Sequence, residues 1–133
     1  MLRFIFIFFS IGLFAQQNSY DFIKEKASVI PDFNSKSISG EVQFDFKVFN
    51  SIDSIKIDAK NMMISNLKIN SKEVKFKLTD KHLILFEGYK IGNNKLIFNY
   101  SAKPKQTLYF VGDNTLESTQ IWTQGQGRYT SHW

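Results

Sequence analysis

The segment Glu-Val-Gln-Phe-Asp-Phe-Lys-Val at residues 41–48 alternates strictly between polar and apolar side chains. Successive side chains of an extended strand point to opposite faces, so this period of two predicts a β-strand with one dry face and one wet face. The dry face comprises Val42, Phe44, Phe46 and Val48. Because a helix would scatter these side chains around its axis, the segment favours a fold built from strands.

Similar short segments recur along the chain. Extended segments are predicted from Tyr20 and at 54–59, 63–69, 74–78, 83–86, 96–100 and 107–111. Turn-forming residues separate them, with loops predicted at 31–40, 70–72, 79–81 and 87–94. No segment has a helical period, and the apolar run at 83–86 is typical of a central strand. The pattern predicts a single all-β domain, an antiparallel saddle-like sheet or sandwich of many short strands.

The first residues have the character of a targeting segment. Arg3 precedes an almost wholly apolar run from Phe4 to Phe14, and the small residue Ala15 follows. This run is short for a membrane span and is typical of a secretory signal peptide. An uncleaved membrane anchor is the alternative, but no second apolar run supports it. Residues 1–15 are therefore predicted to be a signal peptide, and residues 16–133 an exported domain, periplasmic or at the cell surface, without a stable membrane anchor.

Charge and cysteine content narrow the function classes. The chain has a net charge of +5 and no cysteine, so packing rather than disulfides must stabilise an exported form. The lysines alternate with apolar residues, as in Glu-Val-Lys-Phe-Lys-Leu at 73–78. That pattern favours a solvated strand face over a nucleic-acid patch, and no nucleic-acid partner is predicted.

The sequence lacks the motifs of the common hydrolases. Its two histidines, His82 and His132, form no His-Glu-x-x-His motif, and no serine lies in a Gly-x-Ser-x-Gly pattern. His82, at a strand start, is interpreted as an exposed strand-edge residue, and Met62 with Met63 as core filling. No catalytic residue, metal ligand set or cofactor is therefore predicted within this chain.

The last stretch, Gln-Ile-Trp-Thr-Gln-Gly-Gln-Gly-Arg-Tyr-Thr-Ser-His-Trp at 120–133, differs from the rest. Glycines flank Gln126 and allow the backbone to approach a ligand closely. A glutamine amide has both donors and an acceptor, and its oxygen can accept hydrogen bonds from an ammonium group. A glycine-rich surface bend is the alternative, and the residues alone favour it.

This stretch resembles the end of the N-terminal β domain of zinc aminopeptidases, the family of aminopeptidase N and leukotriene-A hydrolase. There a Thr-Gln-x-Glu or Gln-x-Gln segment precedes an aromatic residue. The earlier segments Ser-Ile-Ser-Gly-Glu-Val-Gln-Phe-Asp-Phe-Lys-Val at 37–48 and Leu-Ile-Phe-Asn-Tyr at 96–100 are similar to the family's strand landmarks, in the same order. The resemblance covers about residues 20–133 and implies such a domain, truncated at its C-terminal end.

The resemblance also implies that catalysis and part of the substrate binding lie in different domains. The zinc ligands and the general base lie in a following catalytic domain, so this chain is expected to be non-catalytic alone and to need that domain as a partner. Gln124 would line the pocket for the first substrate side chain, and Gln126 would contact the free amino terminus of a peptide. Many relatives carry Glu at the position of Gln126. The alternative function is a free-standing β-sandwich binding module at the cell surface, for peptides or glycans.

Overall fold

The structure is a computed structural model that describes residues 19–112 and 118–124. These residues form eleven β-strands and no helix. The strands are β1 Tyr20–Ala27, β2 Ile30–Asp32, β3 Ser37–Val48, β4 Ile55–Asp58, β5 Met62–Ile69, β6 Lys72–Glu73, β7 Phe76–Leu78, β8 His82–Leu85, β9 Gly92–Ala102, β10 Leu108–Val111 and β11 Gln120–Thr123. The described ranges hold no helix with the length and apolar character that a membrane crossing requires.

The two longest strands, β3 and β9, lie side by side in the main sheet. Its order is β1–β3–β9–β5–β6, with β2 also paired to β3, and its neighbours run antiparallel. The register places Val42 opposite Phe98 and Phe44 opposite Leu96. Residues directly opposite each other point to the same face, so the apolar faces of both strands coincide and can be buried together.

A second, three-stranded antiparallel sheet has the order β4–β8–β7. Ile55 of β4 and Leu83 and Leu85 of β8 are fully buried in the same core as the main-sheet residues. The hydroxyl of Tyr20 on β1 donates a hydrogen bond of 3.3 Å to the carbonyl oxygen of Lys56 on β4. Apolar packing and this bond therefore join the two sheets. The strands β10 and β11 form a separate two-stranded antiparallel sheet.

The predicted all-β antiparallel architecture is confirmed. On β3, Val42, Phe46 and Val48 are buried and Phe44 is half-buried. The segment at 83–86 does provide the central strand of the second sheet, but that strand ends at Leu85. Phe86 lies beyond it and is exposed.

Some local predictions were wrong. The loop expected at 31–40 is shorter, because β2 pairs with the first residues of β3 and only residues 33–36 turn the chain between them. The loop expected at 87–94 ends earlier, because β9 already begins at Gly92. Of the methionine pair, Met62 packs against the core, whereas Met63 is 71% exposed. Adjacent residues of a strand face opposite ways, so both could not fill one core. The predicted signal peptide at 1–15 lies outside the described residues, and the prediction of a domain at 16–133 stays a prediction.

Candidate functional site

Gln124 lies directly after β11, and its backbone is fixed. Thr123, the last residue of β11, pairs with Leu108 of β10. The N–H of Gln124 then donates a 2.8 Å hydrogen bond to the carbonyl oxygen of Thr107, which extends this ladder by one step. Gln124 itself is exposed. A fixed backbone removes part of the entropic cost of presenting the amide to a ligand, and the exposed side chain still has to be ordered on binding.

Gln126, the second predicted substrate-binding residue, lies outside the described residues, as does His132. The structure therefore places one member of the predicted pair and does not test whether the two glutamines converge. The role assigned to Gln126 stays a prediction.

The sheet that leads to Gln124 has an exposed aromatic face. Tyr109 on β10 lies opposite Trp122 on β11, and their rings stack with centroids 4.5 Å apart. The adjacent residue Leu108 points the other way and is buried, and the ring of Phe110 contacts that of Phe33. Aromatic faces of this kind occur at binding surfaces. The run Thr-Leu-Tyr-Phe-Val at 107–111 predicted an extended segment, but the partner of Tyr109 depends on a pairing that the sequence does not specify.

An apolar cleft of about 110 Å³ lies on the core side of the main sheet, beside the end of β4. Phe44, Phe98 and Met62 line it, and Glu25 and Tyr100 add polar groups. Burial raises the pKa of the Tyr100 hydroxyl, and the negative charge of Glu25 raises it further. The charge of Glu25 thus disfavours ionisation of the buried Tyr100 hydroxyl, and no sequence pattern indicated that these two groups lie near each other.

His82 begins β8 and is half-exposed, close to its predicted place. Its Nε2 atom lies 3.5 Å from a carboxylate oxygen of Asp58, which also lines the apolar cleft. β8 is the middle strand of its sheet, so His82 does not lie on a sheet edge. The pair is open to solvent, and exposed pairs of this type contribute little to stability.

The residues that the structure describes contain no group of three or more His, Cys, Asp or Glu side chains that could hold a metal ion. Zinc sites need three or four converging ligands. The resemblance implies zinc ligands only in a following catalytic domain, so this finding does not test that expectation.

Comparison with known proteins gives a result at the level of structure. No protein-family model matches the chain, and no curated protein matches it. Yeast LTA4 hydrolase in complex with bestatin matches 86% of this chain and 20% of its own, with a TM-score of 0.75 and 14% identity. An M1 zinc metallopeptidase mutant from Deinococcus radiodurans, bound to a Tyr-Ser-Ala substrate, matches 74% of this chain and 22% of its own, with a TM-score of 0.58 and 16% identity.

Aminopeptidase A from Legionella pneumophila in complex with aspartic acid matches 72% of this chain and 12% of its own, with a TM-score of 0.57 and 13% identity. The matched part is the N-terminal region of these enzymes. The chain has the fold of the N-terminal β domain of M1 zinc aminopeptidases. The predicted resemblance is confirmed for the fold, and the chain spans about a fifth of the length of the first matched structures.

Proposed function

We propose that this chain is the N-terminal domain of an exported zinc aminopeptidase and supplies substrate-binding residues to its active-site cleft. The supporting observation is the position of Gln124, exposed and anchored to Thr107 at the end of the aminopeptidase-like domain. Its partners are a peptide with a free amino terminus and the catalytic domain of the same protein. Export is supported by the apolar run from Phe4 to Phe14 after Arg3.

The chemistry of an exopeptidase explains the need for such a segment. The enzyme must recognise the α-ammonium group of a peptide and reject internal segments. An amide or carboxylate oxygen recognises that group by accepting charge-assisted hydrogen bonds. The oxygen of Gln126 is neutral, so it attracts an ammonium group less strongly than a carboxylate does. A carboxylate of the catalytic domain therefore completes the site in this proposal.

In this proposal the reaction takes place on the catalytic domain. The role of this chain is to bind and orient the peptide. The bond from the Gln124 N–H to the Thr107 carbonyl oxygen holds the backbone at the residue after β11. Glycine has no side-chain carbon, so Gly125 and Gly127 are proposed to let a peptide backbone approach Gln126 closely.

The coding sequence after the Trp133 codon tests this proposal. An in-frame His-Glu-x-x-His motif within the next few hundred bases supports it. The longer product is then expected to cleave amino-acid anilides, and the purified 133-residue chain is expected to cleave none. A stop codon with no such motif nearby would favour the free-standing binding module, and metal-dependent turnover by the pure chain would contradict the assignment of the reaction to a second domain.

A further inference from the structure

Two lysine-bearing loops meet at one end of the main sheet. Met62, the first residue of β5, pairs with Ala102, the last residue of β9. This register brings the turn before β5 beside the loop after β9. Between them lies a cleft of about 320 Å³, lined by Lys60, Asn61, Lys103, Pro104, Lys105 and Gln106.

Backbone hydrogen bonds hold the loop that carries Lys60, and a proline restricts the other loop. The N–H of Asn61 donates a 3.0 Å hydrogen bond to the carbonyl oxygen of Asp80, and the N–H of Ala59 donates one of 2.8 Å to the carbonyl oxygen of Lys81. Pro104 restricts the backbone of the other loop. The cleft walls therefore follow from strand pairing and main-chain bonds rather than from the lysine side chains themselves.

The lining of the cleft is positively charged. It contains three lysines and no carboxylate. The ion pairs found in the described part of the chain, His82 with Asp58 and Lys95 with Asp45, do not involve these lysines. The carboxylate of Asp32 lies near enough to feel the charge of Lys103. The hydrogen bonds that its oxygens accept from the Ser35 hydroxyl and from the N–H groups of Ser35 and Asn34 lower its pKa, so it stays ionised and offsets part of the positive charge from outside the lining.

Ammonium groups that share one concave surface repel one another, and a multivalent anion would relieve that repulsion. Lysine ammonium groups are compact donors for phosphate oxygens, and the side chains of Asn61 and Gln106 add amide donors. We propose that this lysine cleft binds a phosphate group, either free or carried as a monoester on a larger molecule. This site is independent of the proposed aminopeptidase function.

Titration of the ¹⁵N-labelled chain with sodium phosphate, at an ionic strength held constant with sodium chloride, tests the site by NMR. Saturable shifts are expected at the backbone amides of Lys60, Asn61, Lys105 and Gln106. The double variant Lys103→Gln/Lys105→Gln is expected to raise the apparent Kd for phosphate about ten-fold, because two exposed charge contacts are lost. The control Lys75→Gln/Lys77→Gln removes the same charge around β7 and is expected to leave the Kd unchanged.

A second titration with O-phosphoserine distinguishes the two sources of the phosphate group. Tighter binding of phosphoserine would support a monoester ligand, and tighter binding of inorganic phosphate would support the free anion. Shifts that rise linearly without saturation for both compounds would overturn the proposal. So would an equal loss of affinity in the control variant, since the lysines would then act only through net charge.

Discussion

Gly40 shows how one residue controls the edge of the main sheet. Strands β1 and β2 both pair with β3. Ser28, in the segment that joins β1 to β2, lies against Gly40 of β3. A Cβ atom on Gly40 would lie 1.9 Å from the carbonyl oxygen of Ser28. Ser28 also donates its N–H to the carbonyl oxygen of Glu41 at 2.8 Å, and its hydroxyl accepts the N–H of Glu41 at 2.9 Å. The sequence marked Gly40 as the end of a loop, but the close approach of Ser28 depends on strand pairing.

Replacing Gly40 by alanine is expected to destabilise the fold. The new methyl group forces the backbone of Ser28 away and weakens both hydrogen bonds to Glu41, at a cost of about 1–3 kcal/mol. The free energy of unfolding in urea measures the effect. The control Ser39→Ala changes an exposed neighbour on the same strand and is expected to stay within about 0.5 kcal/mol of the parent. Equal urea midpoints for the two variants would contradict this account.

At the scale of elements, the start of β9 was the least predictable. Gly and Asn at 92–94 are typical of loops, yet these residues are in the strand. Asn94 can be buried without a large energetic cost because both polar atoms of its side-chain amide form hydrogen bonds. Its Oδ1 atom accepts hydrogen bonds from Asn70 Nδ2 at 2.9 Å and from the Lys90 N–H at 3.0 Å. Its Nδ2 atom donates to the carbonyl oxygens of Lys90 and Gly92, at 2.7 and 2.9 Å.

The variant Asn94→Ala is expected to lower the free energy of unfolding by about 1–3 kcal/mol, because the buried amide and its four hydrogen bonds to Asn70, Lys90 and Gly92 are lost. Thermal or urea unfolding measures the loss. Asn93→Ala removes the same type of side chain from the opposite, exposed face of β9 and serves as the matched control. If both variants are equally stable, Asn94 does not anchor the loop before β9.

The strands β3 and β8 were predictable because they bury apolar side chains, whereas β6 and β11, which are exposed throughout, were not predicted. The alternation in β3 predicted its buried face, and the unbroken apolar run in β8 predicted a central position. The sequence did not specify the strand order, nor the pairing of β10 with β11 that stacks Tyr109 on Trp122. Pairings between distant segments depend on the packing of the whole chain, which local periodicity does not encode.

For the molecule as a whole, the resemblance predicted the fold correctly, although sequence identity to the matched structures is only 13–16% for the three examples described. The candidate site could be predicted only in part. The structure places Gln124 at the end of β11, and the role of Gln126 stays a prediction. The lysine cleft could not be predicted, because Lys60 and Lys103 are distant in sequence and meet only through the pairing of β5 with β9.

The most direct test of the central claim is the selectivity for free amino termini of the longer protein that includes the catalytic domain. Gln126→Ala is expected to reduce kcat/KM for peptides with a free amino terminus by about ten- to a hundred-fold, which corresponds to about 1.5–3 kcal/mol for a hydrogen bond to a charged group. Cleavage of N-acetylated peptides, already poor, is expected to be unchanged. Gln126→Glu is expected to increase the preference for free termini, and Gln120→Ala, on exposed β11, is the matched control. If the Gln126→Ala enzyme keeps the parent's discrimination between free and blocked termini, the terminal segment is a structural bend and the proposed site is wrong.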